Sequence, residues 1–231
     1  MEHISTSIKK FSLEARDTNV TKGDCNMNII VFGASGGVGR HFTKLALDKG
    51  HNVTAFVRNP SKLELEHVRL TVIQGNAFDK NAVKSAISGQ DAVISCLGST
   101  TGMKKSKQLE DMTKIVVDEM VASNIKRIVY IASAGIENEI PGMMGKLMMK
   151  MLKNVLEDHR NAVNYIKNNN LTYTIVRPMG LNDKVYTGVY KETMTGVPST
   201  GRSITRANVA DFMYKALMNS EYENTSVGIS D

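Results

Sequence analysis

Asn28-Ile29-Ile30-Val31-Phe32 is an apolar β-branched run too short for a helix, and Gly33-Ala34-Ser35-Gly36-Gly37-Val38-Gly39-Arg40 follows it directly. The run reads as a buried parallel strand. Val38, Phe42, Leu45 and Ala46 then recur at i, i+4, i+7 and i+8, and the helical pattern closes at Lys49-Gly50. Strand, glycine turn and helix in that order form an anion site. Gly33 permits the tight turn, Gly36 lets backbone N–H groups approach a pyrophosphate, and Gly39 lets helix and sheet pack closely. A glycine triplet alone is an ordinary turn between strand and helix. With its flanks in place, it reads as a dinucleotide cleft.

The rest of the chain bounds what surrounds that cleft. Its 231 residues suffice for one well-packed α/β domain and would cramp two. No apolar run approaches the roughly 20 residues that span a bilayer, and the N-terminus lacks a signal-peptide core. A cytoplasmic protein without membrane association is therefore expected, with Cys25 and Cys96 as free thiols. A formal net charge of +6 suits anionic ligands. Nucleic acid is disfavoured because the basic residues are scattered, aromatics make up only 6% and no recognition motif appears. No second His or Cys stands at ligand spacing from another, so no metal site is expected.

Taken in order, the elements predict a single Rossmann-like, doubly wound parallel sheet with helices on both faces, over residues 27–231. Residues 1–26 read as a mobile extension with no assigned function. Further strands are expected at 51–58, 70–75, 91–99, 126–133 and 171–177, with a short helix around 80–88. Leu109, Met112, Val116 and Met120 give the next helix its inner stripe, and one long helix is expected from Pro141-Gly142 to Asn168. A turn-rich segment at about 178–205, with a short strand at Val185–Tyr190, is the one stretch long enough to wall a substrate pocket. The last helix starts after Thr205, and Thr225–Ser230 reads as an edge strand.

Several side chains fall where chemistry would lie. An acidic residue ending the second strand would bind the ribose hydroxyl of NAD, but no carboxylate occurs between Lys49 and Leu63. Arg58 stands there instead, with Lys62 four residues on, and this favours NADP(H) over NAD, two solvated surface cations being the plain alternative. Asn76 ends the third strand, as an adenine contact or as a turn former. Gly98 ends the fourth, where backbone can approach a ligand. Lys104, Lys105 and Lys107 form a basic loop beside it, read first as a solvated tip. Ser133 ends the fifth strand on the nicotinamide side, placed to hydrogen-bond a substrate or to cap its own turn. His159, on an apolar helix face, reads as a structural histidine rather than a catalyst. Met143, Met144, Met148, Met149 and Met151 with Lys146, Lys150 and Lys153 suit a core stripe better than a membrane-binding face.

These motifs, with Val-Arg-Asn-Pro-Ser-Lys at 57–62, Gly-Gln-Asp-Ala-Val-Ile at 89–94, Leu-Thr-Tyr-Thr-Ile-Val-Arg-Pro at 171–178 and Ile-Thr-Arg-Ala-Asn-Val-Ala-Asp-Phe-Met at 204–213, resemble the atypical short-chain dehydrogenase/reductases. The resemblance is strongest to the biliverdin-IXβ reductase/flavin reductase group, supported by Glu-Asp-His at 157–159 and Val-Tyr-Thr-Gly-Val-Tyr at 185–190, with NmrA-like proteins next. It implies that Gly33, Ser35, Gly36, Gly37 and Val38 cradle the pyrophosphate, that Arg58 and Lys62 hold the 2′-phosphate, and that Asn76 and Ala77 lie by the adenine. Leu97, Gly98, Ser133 and the turn Pro178, Met179, Gly180, Leu181 would surround ribose and nicotinamide, and His159 would line the acceptor pocket, with Ser133 and His159 as the catalytic candidates. Two departures stand out. The reductase group has a histidine where this chain has Gly180, and the Tyr-x-x-x-Lys pair of ordinary dehydrogenases is missing. The expected activity is NADPH-dependent reduction of a planar acceptor, neutral or anionic, of flavin-like, quinone or tetrapyrrole type, by a monomer or weak homodimer. The alternative is an NADP(H)-sensing, NmrA-like binding protein without turnover. A sugar-nucleotide epimerase is disfavoured by the missing pair and the lack of room for a substrate domain.

Overall fold

The computed structural model describes residues 26–231. Most of the N-terminal extension, with Cys25, lies outside the described residues. The first strand, β1 (Asn28–Phe32), is followed by α1 (Gly37–Asp48), β2 (Asn52–Val57), β3 (Leu70–Gln74), α2 (Lys80–Ile87), β4 (Ala92–Ser95), α3 (Gln108–Ala122) and β5 (Arg127–Ile131). Then come α4 (Gly142–Met151), α5 (Lys153–Lys167), β6 (Thr172–Pro178), β7 (Gly180–Asn182), β8 (Lys191–Thr193), β9 (Ser203–Thr205), α6 (Arg206–Met218) and β10 (Thr225–Ser230). The main sheet runs β3-β2-β1-β4-β5-β6-β10-β8, parallel throughout except for β8, which pairs antiparallel with β10. Strand order reverses between β1 and β4, so the carboxyl ends of these neighbours open a crevice.

Side chains alternate across a strand, and β1 shows how this builds two cores. Ile29 and Val31 face α1 and α6, joining Phe42, Ala46, Phe212 and Met213. Ile30 and Phe32 face the other way, onto Val83, Val116, Met120 and Val163 of α2, α3 and α5. All four strand residues are fully buried, which accounts for the unbroken apolar run in the sequence. On the second face, Ser106 Oγ accepts from Gln108 N at 3.0 Å at the start of α3, but Lys107 gives the next N–H groups no side-chain cap. The buried Asp158 carboxylate of α5 supplies one, accepting from Leu109 N at 3.2 Å and Glu110 N at 2.9 Å.

Four expectations are corrected. The helix after Pro141 is two helices, broken at Leu152 (φ −91°, ψ 9°). Gly145 is the one buried residue of α4, and Met143, Met144, Leu147, Met148 and Met151 lie open on its outer side, so they are no core stripe. The segment Val185–Tyr190 is not a strand; the short strand comes just after it, as β8. Finally, β10 is not an edge, because β8 covers it.

Candidate functional site

A cavity of about 590 Å³ lies over the carboxyl ends of β1, β2, β3, β4 and β5. Its floor is the glycine turn, whose sterics are unforgiving. Gly33 takes φ +77°, and a Cβ there would stand 2.5 Å from the Cys96 carbonyl oxygen. A Cβ on Gly39 would stand 2.2 Å from the Gly33 carbonyl oxygen, so the third glycine is demanded by contact between helix and turn. Gly36 caps α1 without a side-chain bond, which leaves the first N–H groups of that helix directed at the cavity floor. Arg40 braces the turn from outside, donating to the carbonyls of Ser35 and Lys62, each at 3.3 Å.

Gly33, Ser35, Gly36, Gly37 and Val38 all line the cavity, as expected of an anion cradle. At one end stand Arg58 and Lys62, exposed and without an ion-pair partner among the described residues. Asn76 and Ala77 line the same end, joined by the half-exposed ring of Phe78. Asn76 Oδ1 accepts from Phe78 N at 3.2 Å, so this side chain serves as a turn former. Leu97 and Gly98 form the middle of the wall. At the far end the lining turns apolar with Met112, Ile131 and Ala132, and His159 projects there from α5.

His159 is 9% exposed and its Nδ1 lies 3.3 Å from the hydroxyl of buried Tyr130. Burial pulls its imidazole down to about 4, so the ring is neutral at pH 7. Burial likewise pushes the Cys96 thiol, in the same wall, up to about 12, so it is not a thiolate. Neither group is poised to deliver a proton or attack at neutral pH.

Ser133, Pro178, Met179 and Gly180 stand outside the cavity wall. Ser133 Oγ donates to the carbonyl of Ala134 at 3.0 Å, closing its own turn. The expected turn at 178–181 is instead the entry to β7, which pairs with β9 and sends Leu181 alone to the cavity. The segment at 183–190 beyond it does not line this cavity. It lies on α6, where Thr187 N and Gly188 N donate to Asn208 Oδ1 at 3.2 and 3.1 Å, and Tyr186 and Tyr190 donate to Asp211 at 3.0 and 2.8 Å. The lysines of the 104–107 loop also stay out of the wall, which takes only Ser99, Thr100 and Gln108 from that stretch. Several lining residues were not anticipated, among them Phe78, Ser99, Gln108, Met112 and one cation. Arg206 opens α6 and reaches the glycine turn; its signal was a cation right after the Thr205 cap, at the sheet's carboxyl edge.

The residues present fit a dinucleotide: the glycine positions exclude side chains from the cradle, and two cations without an ion-pair partner among the described residues stand at one end of the cavity. Comparison with known proteins agrees. A family model described as NAD(P)H-binding matches residues 33–220. The sugar epimerase homologue YhfK of Bacillus subtilis, itself uncharacterised, is 25% identical over 212 residues, covering 89% of this chain and 94% of its own. The isoflavone reductase homologue IRL of Zea mays is 32% identical over 108 residues, and the chain spans only 33% of its length. Among solved structures, a wide-type short-chain dehydrogenase/reductase from Veillonella parvula in complex with NADP shares the fold at TM-score 0.77 and 21% identity, over 90% of this chain and 95% of that one. ChuY of Escherichia coli O157:H7, an anaerobillin reductase, does so at TM-score 0.71 and 24% identity, over 87% and 96%. Among the described residues no helix is long and apolar enough to cross a membrane. The match over residues 33–220, with a glycine cradle whose shape requires it, makes this chain a member of the NAD(P)H-binding family.

Proposed function

We propose that the chain is an NADP(H)-dependent oxidoreductase that reduces a planar, electron-poor conjugated acceptor of flavin, quinone or tetrapyrrole type. The observation that carries this reading is the graded cavity, with free cations at one end, an amide cradle in the middle and an apolar recess at the other. When bound, NADPH supplies the hydride. Arg58 and Lys62 hold the 2′-phosphate, and the N–H groups at the start of α1 hold the diphosphate. Met112, Ile131 and Ala132 exclude water from the reacting face, and the neutral ring of His159 offers a hydrogen bond there. Packing a flat acceptor into that recess supplies proximity. With His159 neutral and Ser133 turned onto its own backbone, the proton comes from solvent, as suits acceptors that need no tuned acid.

The same absence of a poised acid favours a second reading, a sensor that holds NADP(H) without turnover. Purified protein mixed with NADPH and, in turn, FMN, a quinone and biliverdin separates the two. Oxidation of NADPH above background with any acceptor supports the reductase. Tight binding with no oxidation by all three overturns it in favour of the sensor.

A further inference from the structure

Arg206 does more than border the cavity. Its Cδ and Nε lie 2.5 and 2.8 Å from the point where a Cβ on Gly37 would stand, so its stem fills the space that this glycine leaves empty. Gly37 is the first residue of α1, where the helix presents its unbonded N–H groups. The guanidinium is thus held against the anion end of the cradle by packing, not by chance exposure. Its Nη1 meets the carboxylate of Asp183 at 2.7 Å. That carboxylate is 81% exposed and sits just past β7, where Lys184 N bonds back to Asn182 Oδ1 at 3.0 Å. An exposed ion pair of this kind is weak, because water and salt compete for both partners. A doubly charged diphosphate seated on the helix amides offers the same guanidinium a stronger, bidentate acceptor.

We propose that Arg206 is a diphosphate-gripping residue for the coenzyme and that Asp183 is its built-in competitor, released when the coenzyme binds. This rests on the coenzyme reading above and extends it to a residue that reads the part shared by NADPH and NADH. Arg58 and Lys62, at the other end of the cavity, read only the phosphate in which the two differ. Loss of Asp183 from the guanidinium also frees the start of the 183–190 segment, whose remainder stays fastened to Asn208 and Asp211. Coenzyme occupancy is thereby coupled to the conformation of the stretch that follows β7.

The two partners of an ordinary structural pair behave alike when removed; a gripping residue and its competitor behave oppositely. The test measures dissociation constants for NADPH and NADH by titration calorimetry on wild type, Arg206→Gln, Arg206→Lys, Asp183→Asn and the double variant, with melting temperatures as a folding control. Arg206→Gln should weaken both coenzymes by a similar factor, about tenfold, with Arg206→Lys intermediate. Asp183→Asn should tighten both, about two- to fivefold, and that gain should vanish in the Arg206→Gln background. Affinities unchanged in both single variants, or lowered in both, overturn the proposal and leave a tether for the segment after β7. A loss confined to NADPH overturns it too, by moving Arg206 to the 2′-phosphate. If wild type binds neither coenzyme, the functional reading itself falls and takes the proposal with it; wild-type binding with indifferent variants sinks the grip alone.

Discussion

Arg58 is exposed, lines the cavity and has no ion-pair partner among the described residues, so its guanidinium is open to an anionic ligand. Removing a charge-assisted contact costs about 1.5–3 kcal/mol, roughly a ten- to hundredfold loss of affinity. Arg58→Ala should therefore weaken NADPH by that factor and NADH little, as read by fluorescence titration; equal losses would remove Arg58 from the phosphate. His159 carries a prediction of another kind. Its folded imidazole is pulled from 6.5 to about 4 by burial. Above pH 6.5 both folded and unfolded states hold it neutral and nothing is lost. Between 6.5 and 4 the unfolded chain takes the proton first, so stability falls as pH falls through that window. The full loss is on the order of 3 kcal/mol from this group. Urea denaturation of wild type and His159→Gln from pH 7 to 4 should show the wild-type curve dropping more steeply. Parallel curves would mean that the ring is not kept neutral by the core.

At the scale of elements, α4 shows where a sequence stops speaking. Met143, Met144, Leu147, Met148 and Met151 share one helical face with the spacing of a core stripe, yet that face looks outward. Periodicity reports that an apolar face exists; it cannot report whether anything stands opposite. Gly145 and the half-buried Met149 face inward, and the absent Cβ of Gly145 leaves room for Ile140, whose carbonyl oxygen lies 2.7 Å from that point. The expected cost of Met144→Gln or Leu147→Gln is accordingly within about 0.5 kcal/mol, whereas a core stripe would lose several; thermal denaturation of either variant decides it. The glycine cradle was legible because Gly33 and Gly39 answer to local contacts that only glycine satisfies. Arg58 was legible because a missing carboxylate has chemical meaning at a fixed place in this fold. Arg206 was not, since its approach to Gly37 depends on how α6 docks beside α1, a contact between segments far apart in the chain. The placement of Leu181, without Gly180, likewise depends on β7 finding β9 rather than on any local pattern.

For the molecule as a whole, the cleft is where its halves meet. The turn after β1 and the ends of β2 and β3 supply one side; Leu97, Gly98, Met112, Ile131 and His159 supply the other. The two cores lie on opposite faces of one continuous sheet, so unfolding either half dismantles the cavity. A ligand that bridges the crevice must then stabilise the entire fold rather than one lobe. At one hundred times its dissociation constant, a ligand bound only to the folded state adds about 2.7 kcal/mol. For a chain of this length each kcal/mol raises the melting temperature by about 2–4 °C, so saturating NADPH should raise it by roughly 5–10 °C in one cooperative transition. NADH at the same concentration should give a smaller shift, because the cations at the Arg58 end find no phosphate to bind. Differential scanning fluorimetry with both coenzymes reads this directly. In Arg58→Ala the two shifts should draw closer, with Lys62 alone left to read the phosphate in which the coenzymes differ; removing Lys62 as well should make them converge.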